Sequence, residues 1–212
     1  MSEINNLMKR HPELSVCETA IISAYKLLVR CFSSGHRLYV CGNGGSAADA
    51  LHITGELMKS FAMKRRLDDE FIKQANDTFP IEAEQLINNL QGALPVYALV
   101  ENVVFSSAYA NDVDADYIFA QQIYCYARQG DVVFGISTSG NSINVINALM
   151  TAKARCAVTL GLTGMSGGRM AAFCDNCICV PETETYKVQE LHMPVYHTLC
   201  RMLENHFWGD EK

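Results

Sequence analysis

The chain alternates short apolar runs with longer stretches in which apolar residues recur every three or four positions. The short runs predict β-strands, because turn-forming residues bound each of them, and the longer stretches predict amphipathic helices. The predicted strands span 37–40, 96–100, 132–136, 157–162 and 177–180. The predicted helices span 3–31, 46–60, 81–90, 102–109, 117–128, 143–154, 169–173 and 185–207. This alternation predicts an α/β fold in which helices cover both faces of a parallel sheet.

Some local features modify this pattern. The first helical stretch is predicted to break near His11-Pro12, and Pro194 is predicted to kink the last helix, because proline removes a backbone hydrogen bond. Ser46 is the predicted N-cap of the second helix. Residues 64–95 make a long connection that is polar at first and helical later, which predicts an inserted helical segment.

Composition bounds the class of protein. The 212 residues are 49% apolar and 19% charged, which predicts one domain over residues 1–212. The net charge of −6 argues against a nucleic-acid partner. The basic cluster at 64–66 is followed by acidic residues at 68–70, so we expect a solvated surface there. No apolar run reaches the roughly 18 residues of a membrane span, so no membrane partner is expected.

Cysteine usage bears on the compartment. The nine cysteines lie in largely apolar segments, and the first residues lack the pattern of a signal peptide. We therefore expect a cytoplasmic protein whose thiols stay reduced and pack as small apolar side chains. Cys174 and Cys177 form a CxxC motif, but no second pair stands at the spacing of a zinc site. A buried strand is the favoured interpretation, and a redox or zinc site is the alternative.

Two similar turns carry the strongest functional signal. Residues 41–46 (CGNGGS) and 137–142 (STSGNS) each lie between a predicted strand and a predicted helix. Free backbone N–H groups and the positive end of the helix dipole favour an anion at such a helix start. Glycines let a phosphate approach closely, and hydroxyls donate further hydrogen bonds. The turns predict one anionic ligand at the carboxyl ends of parallel strands.

Ionisable residues suited to chemistry lie on two of the predicted helices. His52 and Glu56 are four residues apart and therefore share one helix face. On the last helix, Gln189, Met193 and His197 form a stripe at four-residue spacing. Two imidazoles and a carboxylate suit a zinc ion, and they equally suit proton transfer to a substrate. Spacing alone also fits ordinary structural pairs, but the nearness of His52 to the first turn favours a site.

Four segments resemble bacterial phosphoheptose isomerases, which belong to the SIS (sugar isomerase) domain group. They are CGNGGSAADALHITGEL, ISTSGNSINVINAL, LGLTGMSGGRMA and VQELHMPVYHTLC, and the resemblance is collinear over roughly 1–62 and 96–208. GNGGS and STSGNS in combination are typical of SIS domains. The added His-x-x-x-Glu and Gln-Glu-x-His-x-x-x-x-His patterns are more specific to the isomerase branch.

The resemblance implies a fold, an activity and an assembly. The implied fold is a flavodoxin-like, five-stranded parallel sheet in a single SIS domain. The implied assembly is a homotetramer with active sites between subunits. The implied reaction converts sedoheptulose 7-phosphate to D-glycero-D-manno-heptose 7-phosphate through an enediol.

The resemblance also implies roles for individual residues. Glu56 and His197 would form the acid/base pair, with Glu56 as the base at carbon. One zinc ion per subunit would be held by His52, Glu56, Gln189 and His197. The implied substrate-binding residues are Gly42, Asn43, Gly44, Ser46, Glu56, Asn111, Asp112, Ser137, Thr138, Ser139, Ser142 and Gln189. Among them, Ser137, Ser139 and Ser142 would hold the phosphate.

Departures from the family pattern leave alternatives open. Residues 64–95 are longer than the corresponding connection of the family, and an added segment there would alter the choice of substrate. A different sugar phosphate is one alternative. A non-catalytic SIS module, which binds a sugar phosphate or a replication initiator, is another. The retained carboxylate and C-terminal histidine favour the enzyme, and the lack of an appended DNA-binding helix pair disfavours a sugar-responsive regulator.

Overall fold

The computed structural model describes residues 2–209 and shows a five-stranded parallel sheet. The strands are β1 Leu38–Cys41, β2 Val96–Ala98, β3 Val132–Ser137, β4 Val158–Thr163 and β5 Asn176–Cys179. Their order across the sheet is β2-β1-β3-β4-β5, and every neighbouring pair is parallel. The predicted strands are confirmed, with ends displaced by no more than two residues.

Nine α-helices lie within residues 2–209. They are α1 Ser2–Arg10, α2 Glu18–Ser33, α3 Gly45–Met58, α4 Asp69–Thr78, α5 Ala83–Asn89, α6 Val103–Tyr109, α7 Ile118–Tyr126, α8 Ile143–Ala154 and α9 Thr185–Trp208. The predicted break near His11-Pro12 is confirmed, because a 3₁₀ turn at Pro12–Cys17 separates α1 from α2. The predicted helix at 169–173 is a 3₁₀ turn. No helix in the described part of the chain is long and apolar enough to cross a membrane.

The core lies on both faces of the sheet, as predicted. Leu38 and Val40 of β1 pack in one layer with apolar residues of α1, α2, α3 and α9. Tyr39 and Cys41, which alternate with them, pack in the other layer with residues of α7 and α8. All four residues of β1 are buried, because helices cover both sides of a central parallel strand.

The insertion contains one more helix than the sequence predicted. Besides α5, residues 64–95 include α4, whose N-cap Asp68 accepts a hydrogen bond from the backbone N–H of Phe71 at 2.7 Å. Helix α4 escaped prediction because it is mostly polar and buries only Ala75.

Several local expectations need correction. Ser46 is not an N-cap: α3 already begins at Gly45, and Ser46 is buried in its first turn. Lys64 and Arg66 are exposed as expected, but Arg65 is 2% exposed, so the expectation of a solvated cluster is wrong for its central residue. Helix α9 continues through Pro194 as a single helix from Thr185 to Trp208, so Pro194 does not end the helix, and the predicted kink stays a prediction.

Candidate active site

The two glycine- and serine-rich turns leave adjacent strands. Strands β1 and β3 are neighbours, and the strand order runs outward from them in opposite directions, to β2 on one side and to β4 and β5 on the other. In open α/β sheets, such a switch point leaves a crevice at the carboxyl ends of the strands, where ligands bind. The turns at 42–44 and 138–142 therefore lie at the expected ligand edge.

The first turn depends on glycine for its shape. A Cβ on Gly42 would lie 2.6 Å from the backbone oxygen of Ser46, so no side chain fits there. Gly44 has a φ of +54°, in the left-handed region that favours glycine. A Cβ on Gly45 would collide with the side-chain amide of Gln189. Gln189 therefore rests on the first turn of α3, beside the candidate ligand edge.

The second turn holds its serines in a hydrogen-bonded arrangement. The hydroxyls of Ser137 and Ser142 are 2.9 Å apart. Ser139 accepts a hydrogen bond from the backbone N–H of Asn141 at 3.1 Å. A Cβ on Gly140 would collide with the backbone of Gly167, which brings the loop after β4 against this turn. These serines surround the start of α8, as an anion site requires.

A pair of asparagines joins the two turns. Asn43 and Asn144 exchange two amide hydrogen bonds, each 2.9 Å long. The resemblance implied that Asn43 binds substrate, whereas Asn144 was not predicted, although it lies in the first turn of α8, two residues after the STSGNS motif. The pair fixes the distance between the two helix starts.

Helices α3 and α9 bring the candidate catalytic residues together. Gln189 meets Gly45, and eight residues farther along α9, His197 meets His52, so the two helices run in the same direction. His52 Nε2 lies 3.4 Å from Glu56 Oε1 and 3.4 Å from His197 Nε2. A carboxylate from the first third of the chain thus shares one cluster with an imidazole from near its end.

The surroundings of this cluster shape its chemistry. Partial burial lowers the pKa of His197, and the neighbouring His52 lowers it further, whereas Glu56 raises it. The Glu56 side chain is 12% exposed, and Lys59 Nζ lies 3.6 Å from its Oε2. His197 also lines a cleft of about 450 Å³ between α1 and α9, together with Arg10, Phe61 and Arg201 among others. The cluster is therefore open to solvent on the α1 side.

Not every candidate residue lies in this cluster. Asn111 and Asp112 lie in an exposed π-helical turn, Ala110–Asp114, and Asn111 donates a hydrogen bond to Asp112 at 2.9 Å. Within the described residues, no hydrogen bond joins them to the two turns. Gln189 contacts the turn end of α3, and His52 lies seven residues farther along, which is about 10 Å at the rise of an α-helix.

The donor set partly fits a zinc ion. Around a tetrahedral zinc with bonds of about 2.0–2.1 Å, neighbouring ligand atoms are about 3.3–3.4 Å apart. The two distances from His52 Nε2 match that value. However, among residues 2–209, no group of three or more His, Cys, Asp or Glu side chains is already arranged to hold a metal ion.

The cysteines of the CxxC motif lie in and beside β5. All nine cysteines are free, and Cys177 and Cys179 have their sulfur atoms 3.8 Å apart. Burial raises the pKa of Cys179 to about 11, with a smaller contribution from Cys177. A raised pKa keeps that thiol protonated, as is typical of a thiol packed in a buried strand, and the redox or zinc site stays the alternative.

Comparison with known proteins identifies relatives over most of the chain. Two SIS-domain family models match residues 1–82 and 107–202. The phosphoheptose isomerase of Rhodospirillum rubrum is 36% identical over 192 residues, covering 91% of this chain and 88% of the relative. That of Aneurinibacillus thermoaerophilus is 33% identical over 212 residues, covering 95% and 94%.

Solved structures agree with these relatives. A phosphoheptose isomerase from Neisseria gonorrhoeae shares 30% identity and a TM-score of 0.71, with 94% of this chain and 93% of that chain covered. One from Francisella tularensis shares 26% identity and a TM-score of 0.73, with 96% and 95% covered. The similarity in fold therefore extends over nearly the whole chain.

Proposed function

Since this chain belongs to the SIS-domain phosphoheptose isomerase family, we propose that it interconverts sedoheptulose 7-phosphate and D-glycero-D-manno-heptose 7-phosphate. The observation that carries the proposal is the cluster of Glu56, His52 and His197. That cluster lies on α3, which begins at the first glycine-rich turn, and on α9, whose Gln189 lies against that turn. A carboxylate, an imidazole and an anion-binding edge are the groups that this reaction needs.

The reaction moves one proton between adjacent carbons. A base removes the proton from the carbon beside the carbonyl, which leaves an enediol, and the proton then returns to the neighbouring carbon. Glu56 serves as that base in our proposal, because its carboxylate is largely buried and faces His52. His197 carries the proton between the two substrate oxygens. Its lowered pKa keeps its imidazole neutral near pH 7, so it can both accept and donate.

The phosphate is assigned to the second turn. The hydroxyls of Ser137, Ser139 and Ser142 surround the start of α8, where the helix dipole favours negative charge. Thr138 lies between Ser137 and Ser139 in the sequence. Ser46 lies in the first turn of α3. Both residues belong to the same proposed binding edge. Gly42, Asn43, Gly44 and Gln189 line the sugar side.

We further propose a zinc site in the cluster. His52, Glu56 and His197 are the supported ligands, because two ligand-to-ligand distances fit a tetrahedral ion. Gln189 would complete the set only by turning its amide from Gly45 toward His52. When bound, the ion would polarise the substrate carbonyl, and the atoms of Glu56 and His197 that hold it would not at the same time exchange protons with the substrate, so the metal and the proton transfers assigned to these two residues are alternative uses of the cluster.

We also propose a homotetramer whose active sites are completed between subunits. Helix α6 and the turns up to Tyr117 contain no buried residue. Three of their apolar side chains, Val103, Val104 and Val113, are 65–82% exposed. An exposed apolar surface of this kind is typical of a protein interface. Asn111 and Asp112 lie on it, so a neighbouring subunit would bring them to a ligand. The nine free thiols support a reducing, cytoplasmic location.

The decisive experiment offers sedoheptulose 7-phosphate to the purified protein and follows the aldose product by proton NMR. Conversion supports the proposal. If the protein converts a pentose or hexose phosphate but not this heptose, the proposed substrate is wrong and the proposed reaction, an aldose–ketose isomerisation, stands. No turnover of any sugar phosphate, with binding retained, would favour a non-catalytic SIS module and overturn the enzymatic function.

A further inference from the structure

A row of three tyrosines lines a pocket across the sheet from the candidate catalytic cluster. Tyr39 of β1 lies in the middle of the row, and its ring is nearly parallel to those of Tyr97 and Tyr126, with centroids 5.7 and 6.5 Å away. Tyr39 is 2% exposed, whereas Tyr97 is 53% and Tyr126 is 47% exposed. Helices α3 and α9, which carry the cluster, pack in the other layer of the core. The two outer rings therefore offer exposed aromatic surface to a ligand away from the cluster.

The pocket is a cavity of about 340 Å³ between the edge of the sheet and α7. Its lining includes Tyr39 of β1, Tyr97 of the edge strand β2, and Gln122 and Tyr126 of α7. Helix α6, which follows β2, buries no residue, and only its N-cap Asn102 lines the cavity. The volume lies in the range of sites that bind small molecules, about 300–1,000 Å³. The pocket is therefore large enough for a ligand, and α6 does not fill it.

Two arginines lie at one end of this pocket. Arg37 precedes β1 and Arg128 follows α7, and both line the cavity. The buried carboxylate of Asp131 holds them side by side, because it accepts the backbone N–H of Arg37 at 2.9 Å and that of Arg128 at 2.8 Å. Among residues 2–209, neither guanidinium has a carboxylate oxygen within 4 Å. A guanidinium without a carboxylate partner suits a phosphate group, which it can bind through two parallel hydrogen bonds.

The other end of the pocket carries a carboxylate. Strands β1 and β2 are parallel, and Arg37 comes before β1 whereas Glu101 comes after β2, so the two residues lie at opposite ends of the strands. Along its length the pocket thus has a cationic end, an aromatic middle and an end that accepts hydrogen bonds. A nucleotide has the complementary groups in the same order, which are a phosphate, a flat base and an amino group on that base.

We propose that this pocket binds a mononucleotide whose base carries an amino group. The phosphate binds to Arg37 and Arg128. The base packs against the exposed rings of Tyr97 and Tyr126, and its amino group donates a hydrogen bond to Glu101. The pocket is independent of the proposed isomerase reaction, because none of these residues belongs to the candidate active site.

The first test measures binding to the purified full chain by isothermal titration calorimetry. Adenosine 5′-monophosphate should bind. Adenosine, which lacks the phosphate, and inosine 5′-monophosphate, which lacks the amino group, should each bind about tenfold more weakly, because each loses a hydrogen bond to a charged side chain. No binding of adenosine 5′-monophosphate at millimolar concentration would overturn the proposal, and so would equal affinities for the three compounds.

The second test places the ligand in the pocket. Tyr126→Ala and Arg37→Met should each weaken binding of adenosine 5′-monophosphate by about tenfold or more, because stacking on an aromatic ring and a hydrogen bond to phosphate each contribute that much. Tyr124→Ala is the control for the tyrosine, since Tyr124 is 61% exposed on the same helix and does not line the pocket. Arg30→Met is the control for the arginine, since Arg30 is exposed on α2 in the other layer. Losses that are equal in test and control variants would contradict the assignment.

The third test separates this pocket from the candidate active site. Ser137→Ala combined with Ser139→Ala should bind adenosine 5′-monophosphate as the wild-type protein does, because these serines lie in the second turn and not in the pocket. If the serine variant loses binding while Arg37→Met keeps it, the nucleotide occupies the candidate active site and the inference fails, whatever the protein does with the heptose. If the pocket variants lose binding and the wild-type protein converts no sugar phosphate, the nucleotide site stands and the proposed function fails. Thermal unfolding of each variant checks beforehand that the fold is intact.

Discussion

Arg65 and Glu204 form an ion pair whose side chains are 0% and 1% exposed, with Nε donating to Oε1 at 2.8 Å. The guanidinium also donates to the backbone carbonyls of Leu57 and Glu56, at 2.7 and 2.6 Å, at the end of α3. Glu204 belongs to α9. The pair therefore joins the two helices that carry the candidate catalytic residues.

The carboxylate of this pair is fully engaged. It accepts backbone N–H groups of Phe61 and Ala62, each at 2.8 Å. Burial alone would raise the pKa of Glu204, but these N–H groups and Arg65 outweigh it, so the pKa is lowered. Removing one partner would leave a buried charge without compensation.

The first prediction concerns stability. Arg65→Met and Glu204→Gln should each lower the free energy of unfolding by about 3–5 kcal/mol, because each leaves buried polar groups unpaired. The double variant should lose less than the sum of the two. Arg66→Met is the control, since its ion pair with Asp69 is exposed and should contribute less than about 1 kcal/mol. Urea unfolding measures all four variants, and equal losses in Arg65→Met and Arg66→Met would contradict the assignment.

The second prediction concerns the acid/base pair. Glu56→Gln and His197→Gln should each lower kcat by ~100-fold or more, because each removes a group that transfers a proton in our mechanism. His206→Gln should keep wild-type turnover, because His206 is exposed near the end of the same helix. Wild-type turnover in both test variants would remove these residues from the mechanism.

The third prediction concerns the phosphate. Ser137→Ala combined with Ser139→Ala should raise KM by about two orders of magnitude or more, because each of the two lost hydrogen bonds to a charged group contributes about 1.5–3 kcal/mol. Ser34→Ala is the control: it precedes β1, so it lies at the amino ends of the strands, away from the proposed edge. Steady-state kinetics would contradict the assignment if the double variant kept the wild-type KM.

The fourth prediction concerns Gln189. In Gly45→Ala, the added Cβ should push the Gln189 amide from its place without unfolding the protein, because that amide is the end of a flexible side chain. We expect a KM increase of about tenfold with near-wild-type stability. Gly55→Ala is the control, since its Cβ would meet nothing within 4 Å, and alanine is preferred by about 1 kcal/mol inside a helix. A KM rise in both variants would contradict this role.

Features that depend on neighbouring residues were predictable from the sequence. The strands, the two turns and the face shared by His52 and Glu56 follow from local spacing, and the structure confirms the sheet. The family resemblance then indicated that His197 belongs with Glu56. Features that depend on distant partners were not predictable. Nothing near Arg65 in the sequence indicates a carboxylate 139 residues later, and nothing near Asn43 indicates Asn144.

The last prediction comes from a second histidine on α9. His192 is 0% exposed, and neither of its ring nitrogens has a hydrogen-bond partner within residues 2–209. Burial lowers its pKa to about 4, because the charged imidazolium would lose its hydration, and this outweighs the Thr163 backbone, which raises the pKa. The folded protein therefore resists protonation at this position.

The sign of the pH effect follows from proton binding. Between the unfolded pKa of about 6.5 and the folded pKa of about 4, the unfolded chain binds a proton at His192 that the folded chain does not. Stability from this residue is complete above pH 6.5 and falls by about 3 kcal/mol as the pH drops to 4. His192→Leu should flatten that part of the curve, and His206→Leu should leave it unchanged. Urea unfolding at pH 4.5, 5.5 and 7.5 measures the slope, and a wild-type slope in His192→Leu would show that His192 is not its source.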